Sequence, residues 1–212
     1  PIDDQAILAQ NRGGGPGEVG RLGGYRVLRV LGAGGMGVVF EAEDVRLRRR
    51  VALKALRPGL TGPHPADRFL REARALAALR HDHVVAVYQV GEDRGLPFLA
   101  MELLQGESLA ARLRRAGPLP LPEVLRVGRE VAEGLAAPHA RGLVHRNVRP
   151  GTIWLEEGRG RVKLLDFGLA RSVTPAEGTE LTHSGAIVGT PAYMAPEQAA
   201  GRPVDARCDL FS

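Results

Sequence analysis

The residue types that could carry chemistry gather in one stretch, Leu143–Trp154 (LVHRNVRPGTIW), and in the short run Leu164-Leu165-Asp166-Phe167-Gly168 that follows it. Two apolar runs, residues 142–145 and 161–165, flank the polar side chains. Such flanks put the polar groups on rigid turns at a strand edge, where functional residues are commonly held. The pair reads as a catalytic loop followed by a metal-binding corner, with Asp166 as the carboxylate of that corner. Two further features lie upstream. Gly32, Gly34 and Gly37 interrupt a strand-like run as G-x-G-x-x-G, and Lys54 sits inside the apolar segment Arg50–Leu56. Of 29 basic residues only Lys54 and Lys163 are Lys, so a compact ammonium in a strand interior carries information that one more Arg would not.

The elements that must position these groups show in the period and punctuation of the chain. Residues 1–24 are glycine-rich, with no aromatic and no periodicity, and are expected to form a disordered leader. Tyr25–Leu31 and Val38–Phe40 are the arms of a hairpin about the glycine-rich turn. A dinucleotide-binding fingerprint requires a helix directly after its glycines, whereas β-branched residues here continue as a strand. A purely structural glycine turn stays open on this motif alone. Arg50–Leu56 is a further strand, 58–65 a loop, and Ala66–Arg80 a helix with Phe69, Leu70, Ala73, Leu76 and Ala77 on one stripe. Val84–Val90 and Leu96–Met101 are strands, and Leu109–Arg115 is a short helix. Glu123–Arg141 is a longer helix with Val124, Val127, Val131, Leu135 and His139 inward and a Pro138 kink in its last turns. His139 is read as packed and without a role, and Cys208 as an ordinary small hydrophobe.

Taken in order, the glycine loop ending at Val39, Val51-Ala52-Leu53-Lys54, the helix residue Glu72, His145-Arg146, Asp166-Phe167-Gly168 and Ala195-Pro196-Glu197 resemble the signature set of protein kinases, in the style of bacterial Ser/Thr protein kinases. The resemblance runs from Tyr25 to Ser212. It implies an α+β, two-lobed fold with a β-rich N-lobe over residues 25–101 and a helical C-lobe over 102–212, truncated at the start of its central helix. It also implies ATP and Mg²⁺ as cofactors. Leu31, Gly32, Gly34, Gly37, Val39, Ala52, Lys54, Met101, Glu102, Leu104 and Trp154 would bind ATP. In that scheme Lys54 reaches the α and β phosphates, Glu72 fixes its head, and the hinge Glu102–Gly106 bonds adenine through its backbone. Without Lys54 and the glycine loop, Glu72 would read as a solvated helix charge. Asp166 and Thr152 would be the metal ligands, and Asp209 would anchor the catalytic loop. Thr179, Thr182, Ser184 and Thr190 fall in the activation segment, where the first three are phosphorylation candidates with Arg146 in the receiving cation cluster.

Four positions depart from the family pattern. Asn147 stands in place of the catalytic Asp, Thr152 in place of the metal-binding Asn, Arg149 in place of the usual Lys, and Trp154 where an aliphatic residue lies beneath adenine. An amide cannot accept a proton, so Asn147 is expected to position a hydroxyl while a general-base contribution of about 10²–10⁴ is lost. Thr152 offers Mg²⁺ one neutral hydroxyl, and Arg149 keeps a charge near the transferring phosphate in a planar fork that will not sit like an ammonium. The Trp154 indole either stacks on adenine, shrinks the pocket or turns aside into the lower lobe. The expected function is a kinase-like domain that binds Mg-ATP with weak or absent Ser/Thr phosphotransfer, a pseudokinase or signalling scaffold. The alternative is an active Ser/Thr protein kinase that transfers the ATP γ-phosphate to protein hydroxyls.

Composition bounds these readings. The chain has 212 residues, 44% hydrophobic and 25% charged, enough for a substantial core. Nothing approaches the roughly 20 apolar residues that span a bilayer, and no cleavable signal opens the chain, so a cytoplasmic location is expected and any membrane tether would lie outside it. The net charge of +5 comes from scattered Arg, and aromatics are 4% of the residues, which argues against nucleic acid as a partner. ATP and a protein substrate or signalling partner are expected instead. Asp205–Ser212 resembles the first turn of the long buried helix of the lower lobe. Residues 1–212 alone are therefore expected to expose apolar surface and to behave as a partly molten species.

Overall fold

The computed structural model describes residues 18–34, 37–56, 65–167 and 191–212. They divide into two compact units, the first holding the described residues up to Ala78 and Ala86–Leu104, the second Leu79–Val85 and the described residues from Gln105 onward.

The first unit is built on a six-stranded antiparallel sheet in the order β1-β2-β3-β4-β6-β5. Its strands are β1 (Gly20–Leu22), β2 (Tyr25–Gly34), β3 (Gly37–Asp44), β4 (Arg49–Leu56), β5 (Val87–Asp93) and β6 (Leu96–Glu102). Leu22 pairs with Tyr25, which leaves Gly23-Gly24 as a two-residue hairpin turn with φ of +56° and +87°, values that glycine adopts without strain. Alternation does the rest. Val38, Phe40 and Ala42 of β3 and Val51, Leu53 and Ala55 of β4 join Tyr25, Val27, Phe98 and Ala100 in one buried cluster. Among the described residues the helix of this unit, α1 (Pro65–Ala77), packs against β5 and β6 and buries Phe69, Ala73 and Leu76.

The second unit has a small antiparallel sheet, β7 (Gly106–Ser108), β8 (Ile153–Glu156) and β9 (Val162–Leu164), in that order. Its helices are α2 (Leu109–Ala116), α3 (Leu121–His139), α4 (Pro196–Ala199) and α5 (Arg207–Phe211). Ser108 starts α2, its hydroxyl accepting the Ala111 N–H at 3.2 Å, and Gly117 ends it at φ +73°. Helix α3 packs on β9 and buries Val127 and Leu135 together with a carboxylate, Glu130. Glu130 accepts the Val162 N–H at 2.8 Å and an Arg126 guanidinium N–H at 3.0 Å. Burial pushes that carboxyl up, but the Val162 and Arg126 donors outweigh it and hold it below the ordinary carboxylate value. Among the described residues no helix is long and apolar enough to cross a membrane.

Several expected boundaries move. Residues 20–22, expected to belong to the leader, form β1 because Leu22 inserts into the sheet core at 2% exposure. Helix α1 stops at Ala77, short of Arg80. The strand expected over Val84–Val90 begins at Val87. Val84 and Val85 belong to the second unit, where Val84 bridges Leu164 and the Val85 N–H reaches the Leu164 carbonyl at 3.1 Å. The first compact unit runs on to Leu104. Val124, expected inward on α3, is 47% exposed, because the buried stripe runs through Val127, Glu130, Gly134 and Leu135.

Glu130→Ala leaves the buried Val162 N–H without its acceptor, and the expected cost is about 1–3 kcal/mol. Calorimetry of the full-length protein checks this. An unchanged Tm would make the carboxylate dispensable to the fold.

Candidate functional site

In the first unit the strand register gathers most of the expected nucleotide-binding positions on one sheet face. Gly32 pairs with Val39, Val39 with Lys54 and Lys54 with Leu99, while Glu41 pairs with Ala52 and Ala52 with Met101. Directly paired residues point the same way, so Gly32, Val39, Ala52, Lys54 and Met101 share the face opposite the buried cluster. Lys54 is 6% exposed on that face. The three glycines have different reasons to be there. A Cβ on Gly37 would lie 2.1 Å from the Ala55 carbonyl oxygen, so the fold itself demands glycine. A Cβ on Gly32 or Gly34 would meet nothing within 4 Å among the described residues, and neither has a positive φ. Among the described residues neither packing nor backbone conformation gives a reason for glycine at 32 and 34. Leu31 is 40% exposed, Glu72 and Leu104 are half-buried, and the Glu102 N–H is bonded to the Ala86 carbonyl at 2.9 Å.

In the second unit the loop after α3 is organised by a carboxylate from the other end of the chain. Asp209 on α5 accepts the His145 N–H at 2.7 Å and the Arg146 N–H at 2.6 Å, and the His139 Nε2–H donates to it at 2.7 Å. Arg146 is thereby held at φ +62°, a left-handed conformation uncommon for a long side chain. His145 is fully buried. Its Nδ1 accepts the Asn147 N–H at 3.3 Å, so the ring proton resides on Nε2 and is donated to the Leu165 carbonyl at 2.9 Å. The ring lies 4.4 Å, centroid to centroid, from Phe167. Asp166, between those two contacts, is also left-handed at φ +57°.

Thr152 is the staple of this loop. At 1% exposure its hydroxyl lies 2.7 Å from the Asn147 carbonyl and 3.0 Å from the Arg149 carbonyl as donor, and it accepts the Arg149 N–H at 3.2 Å. The single hydroxyl proton therefore goes to the loop backbone. Asn147 and Arg149 are half-buried, and the Arg149 guanidinium lies over Gly151, where a Cβ would be 2.2 Å from Nη1. Trp154 on β8 is half-buried, its indole N–H donating to the Gln105 carbonyl at 3.1 Å. Thr179, Thr182, Ser184, Thr190 and Gly168 lie outside the described residues.

The sequence profile of the protein kinase domain matches residues 25–212. The chain belongs to the protein kinase domain family. It is 44% identical over 193 residues to the serine/threonine-protein kinase pkn2 of Myxococcus xanthus, covering 90% of this chain and 23% of that protein. It is equally, 44%, identical over 189 residues to PknL of Mycobacterium tuberculosis, covering 89% of this chain and 46% of that one. The crystal structure of the M. tuberculosis PknI kinase domain superimposes with a TM-score of 0.69 at 31% identity, covering 89% of this chain and 70% of that domain. The chain thus spans under half the length of these whole-protein relatives, and its fold is the two-lobed protein-kinase fold. Kinases of this family use ATP and Mg²⁺.

Two residues of the kinase domain that lock the loop were missed in the sequence. His139, given no role above, bonds Asp209, and its only sequence signal is its place in the last turn of α3. Gln198 donates from Nε2 to the Arg146 carbonyl at 3.1 Å and accepts the Ala195 N–H at 3.2 Å, and nothing local marks it. Cys208 is buried, and burial with the neighbouring Asp209 pushes its thiol up to about 12, so it is inert as expected.

Burial holds the His145 imidazole below its ordinary value of 6.5, against the opposing pull of Asp209, the Leu165 carbonyl and Asp166. On acidification the unfolded chain takes up that proton first. Stability is complete above the ordinary value and falls as pH drops from there toward the depressed folded value, by up to about 1.4 kcal/mol per pH unit. His145→Gln, which retains a donor for Leu165, should flatten Tm against pH below about pH 6.5. A slope identical to wild type would assign the acid sensitivity to other groups.

Proposed function

We propose that this kinase domain binds Mg-ATP and that its transfer of phosphate to Ser or Thr hydroxyls is weak or absent, so that it acts as a nucleotide-responsive signalling module. The observation that carries this reading is the buried Thr152 hydroxyl, engaged with the backbone of the same loop that presents an amide at Asn147. The N-lobe supplies the glycine strand and Lys54 for the phosphates, with Glu72 as the partner expected of the family. The half-buried indole of Trp154 supplies apolar surface for the base. From the C-lobe, Asp166 would hold Mg²⁺, which a single carboxylate completed by phosphate oxygens commonly binds. When bound, the ion neutralises phosphate charge. The Asn147 amide orients a hydroxyl by hydrogen bonding but takes no proton from it, and Arg149 keeps a positive charge beside the loop.

A second reading, an active Ser/Thr kinase, is favoured by the backbone of this loop. His145, Arg146, Asn147 and Arg149 are all tied in place, so a hydroxyl would be positioned even without a carboxylate base.

Nucleotide binding is tested by thermal shift on the full-length protein. Mg-ATP at 100 times its Kd should stabilise by about 2.7 kcal/mol, and Lys54→Ala should shrink the shift. Gly34→Ala should leave the Tm of the free protein unchanged or raise it, by up to about 1 kcal/mol of stability, while weakening the nucleotide shift. No shift at saturating Mg-ATP would sink the proposal.

Catalytic loss is tested by restoring the base. Asn147→Asp should raise phosphotransfer by about 10²–10⁴. Adding Thr152→Asn should give a further, Mg²⁺-dependent gain, because the longer amide can keep the loop bond through its NH₂ group and turn its oxygen outward. Wild-type turnover near the roughly 1–100 per second usual for kinases would establish the active-kinase reading instead.

A further inference from the structure

The peptide bond between Arg146 and Asn147 is held at both of its polar groups, and the peptide before it is held as well. Asp209 holds the Arg146 N–H on one side of the left-handed residue, and the Asn147 N–H rests on His145 Nδ1. The remaining polar group of that peptide, the Arg146 carbonyl, accepts Gln198 Nε2–H at 3.1 Å. The other end of the same amide accepts the Ala195 N–H at 3.2 Å. Ala195 is fully buried, and with Pro196 and Glu197 it forms the segment that enters α4. One side chain therefore spans two stretches about fifty residues apart, using its donor on one and its acceptor on the other.

We propose that Gln198 is a positioning residue that couples the segment around Ala195-Pro196-Glu197 to the backbone of Asn147. A left-handed non-glycine residue persists only where its surroundings over-determine it. Gln198 is one of those determinants, and it reports the state of the Ala195 segment to the peptide that carries the Asn147 side chain. When that segment is seated, the Arg146 carbonyl is fixed and so is the direction in which Asn147 leaves the backbone. When it moves, the peptide plane loses one of its two holds. The coupling requires an amide, since a carboxylate of the same length keeps the acceptor for Ala195 but has no proton for the Arg146 carbonyl. Its effect on chemistry rests on the reading of Asn147 as the group that orients a substrate hydroxyl.

Hydrogen exchange in the full-length protein tests the coupling without reference to activity. In Gln198→Glu the amides of residues 145–148 should exchange roughly five- to tenfold faster, the loss expected of one hydrogen bond, while those of 195–199 keep their wild-type rates. Gln198→Met, which lacks both polar ends, should loosen both segments. In the Asn147→Asp background, Gln198→Glu should lower kcat at unchanged KM for ATP. If that background gains no turnover while exchange responds as described, the role of Asn147 fails and the coupling stands. Unaltered exchange at 145–148 in Gln198→Glu would overturn the proposal, and so would a uniform acceleration across the whole domain, which would make Gln198 a general stabiliser.

Discussion

The Asp209 carboxylate organises the C-lobe. Its side chain has no exposed surface, and an ionised carboxylate in that position would be destabilising by several kcal/mol if its oxygens lacked donors. Two backbone N–H groups and the His139 ring supply them, at 2.6–2.7 Å. The arrangement works in both directions. The loop needs Asp209 to hold Arg146 in a left-handed conformation, and Asp209 needs the loop and the end of α3 to remain buried. These bonds, with the fully buried Cys208 beside them, seat the first turn of helix α5 against the loop.

A second constraint acts in the N-lobe, where the glycines of one hairpin answer to packing in different degrees. Gly37 is fixed by the Ala55 carbonyl and would be glycine whether or not anything bound. Gly32 and Gly34 lie in open space. Open glycines in a strand cost conformational entropy, of order 0.5–1 kcal/mol each against Ala, and packing among the described residues does not demand them. Lys54 shows the same tension. It stands between Leu53 and Ala55, which are fully buried in the sheet core, and it turns a charged head toward the face that the open glycines share.

These two constraints separate what the sequence made legible from what it did not. Short apolar runs marked β3, β4 and β6, and the order of glycine loop, V-A-L-K and D-F-G marked the family, because each rests on neighbours within a few residues. Glu130 was invisible for the opposite reason. It reads as a solvated charge one helical turn from Arg126, and its decisive partner is a backbone N–H 32 residues away. The Val84–Val85 pair was apolar enough to be read as strand, but periodicity does not say which unit a strand joins. Residues 20–22 look like the glycine-rich leader before them, and only the pairing of Leu22 with Tyr25 sets them apart. His139 and Gln198 act through atoms contributed by distant segments, so no local pattern flags either.

The catalytic loop shows why sound geometry and sound chemistry must be judged apart. The bonds that shape it use backbone groups of residues 145–152 and the side chains of His145, Thr152, Asp209 and Gln198. A carboxylate at position 147 is not among the requirements, so the loop folds with an amide there as well as with an acid. Thr152 illustrates the cost of a smaller side chain. A hydroxyl has one proton, and directing it to the Asn147 carbonyl fixes the loop, whereas an amide has a separate donor and acceptor and can hold the backbone with one while presenting the other. The Thr152 hydroxyl, at 1% exposure, is committed to the structural duty of holding the loop backbone. The loop is thus shaped by backbone groups and by the His145, Thr152, Asp209 and Gln198 side chains, and its fold makes no demand on the chemistry of the side chain at 147.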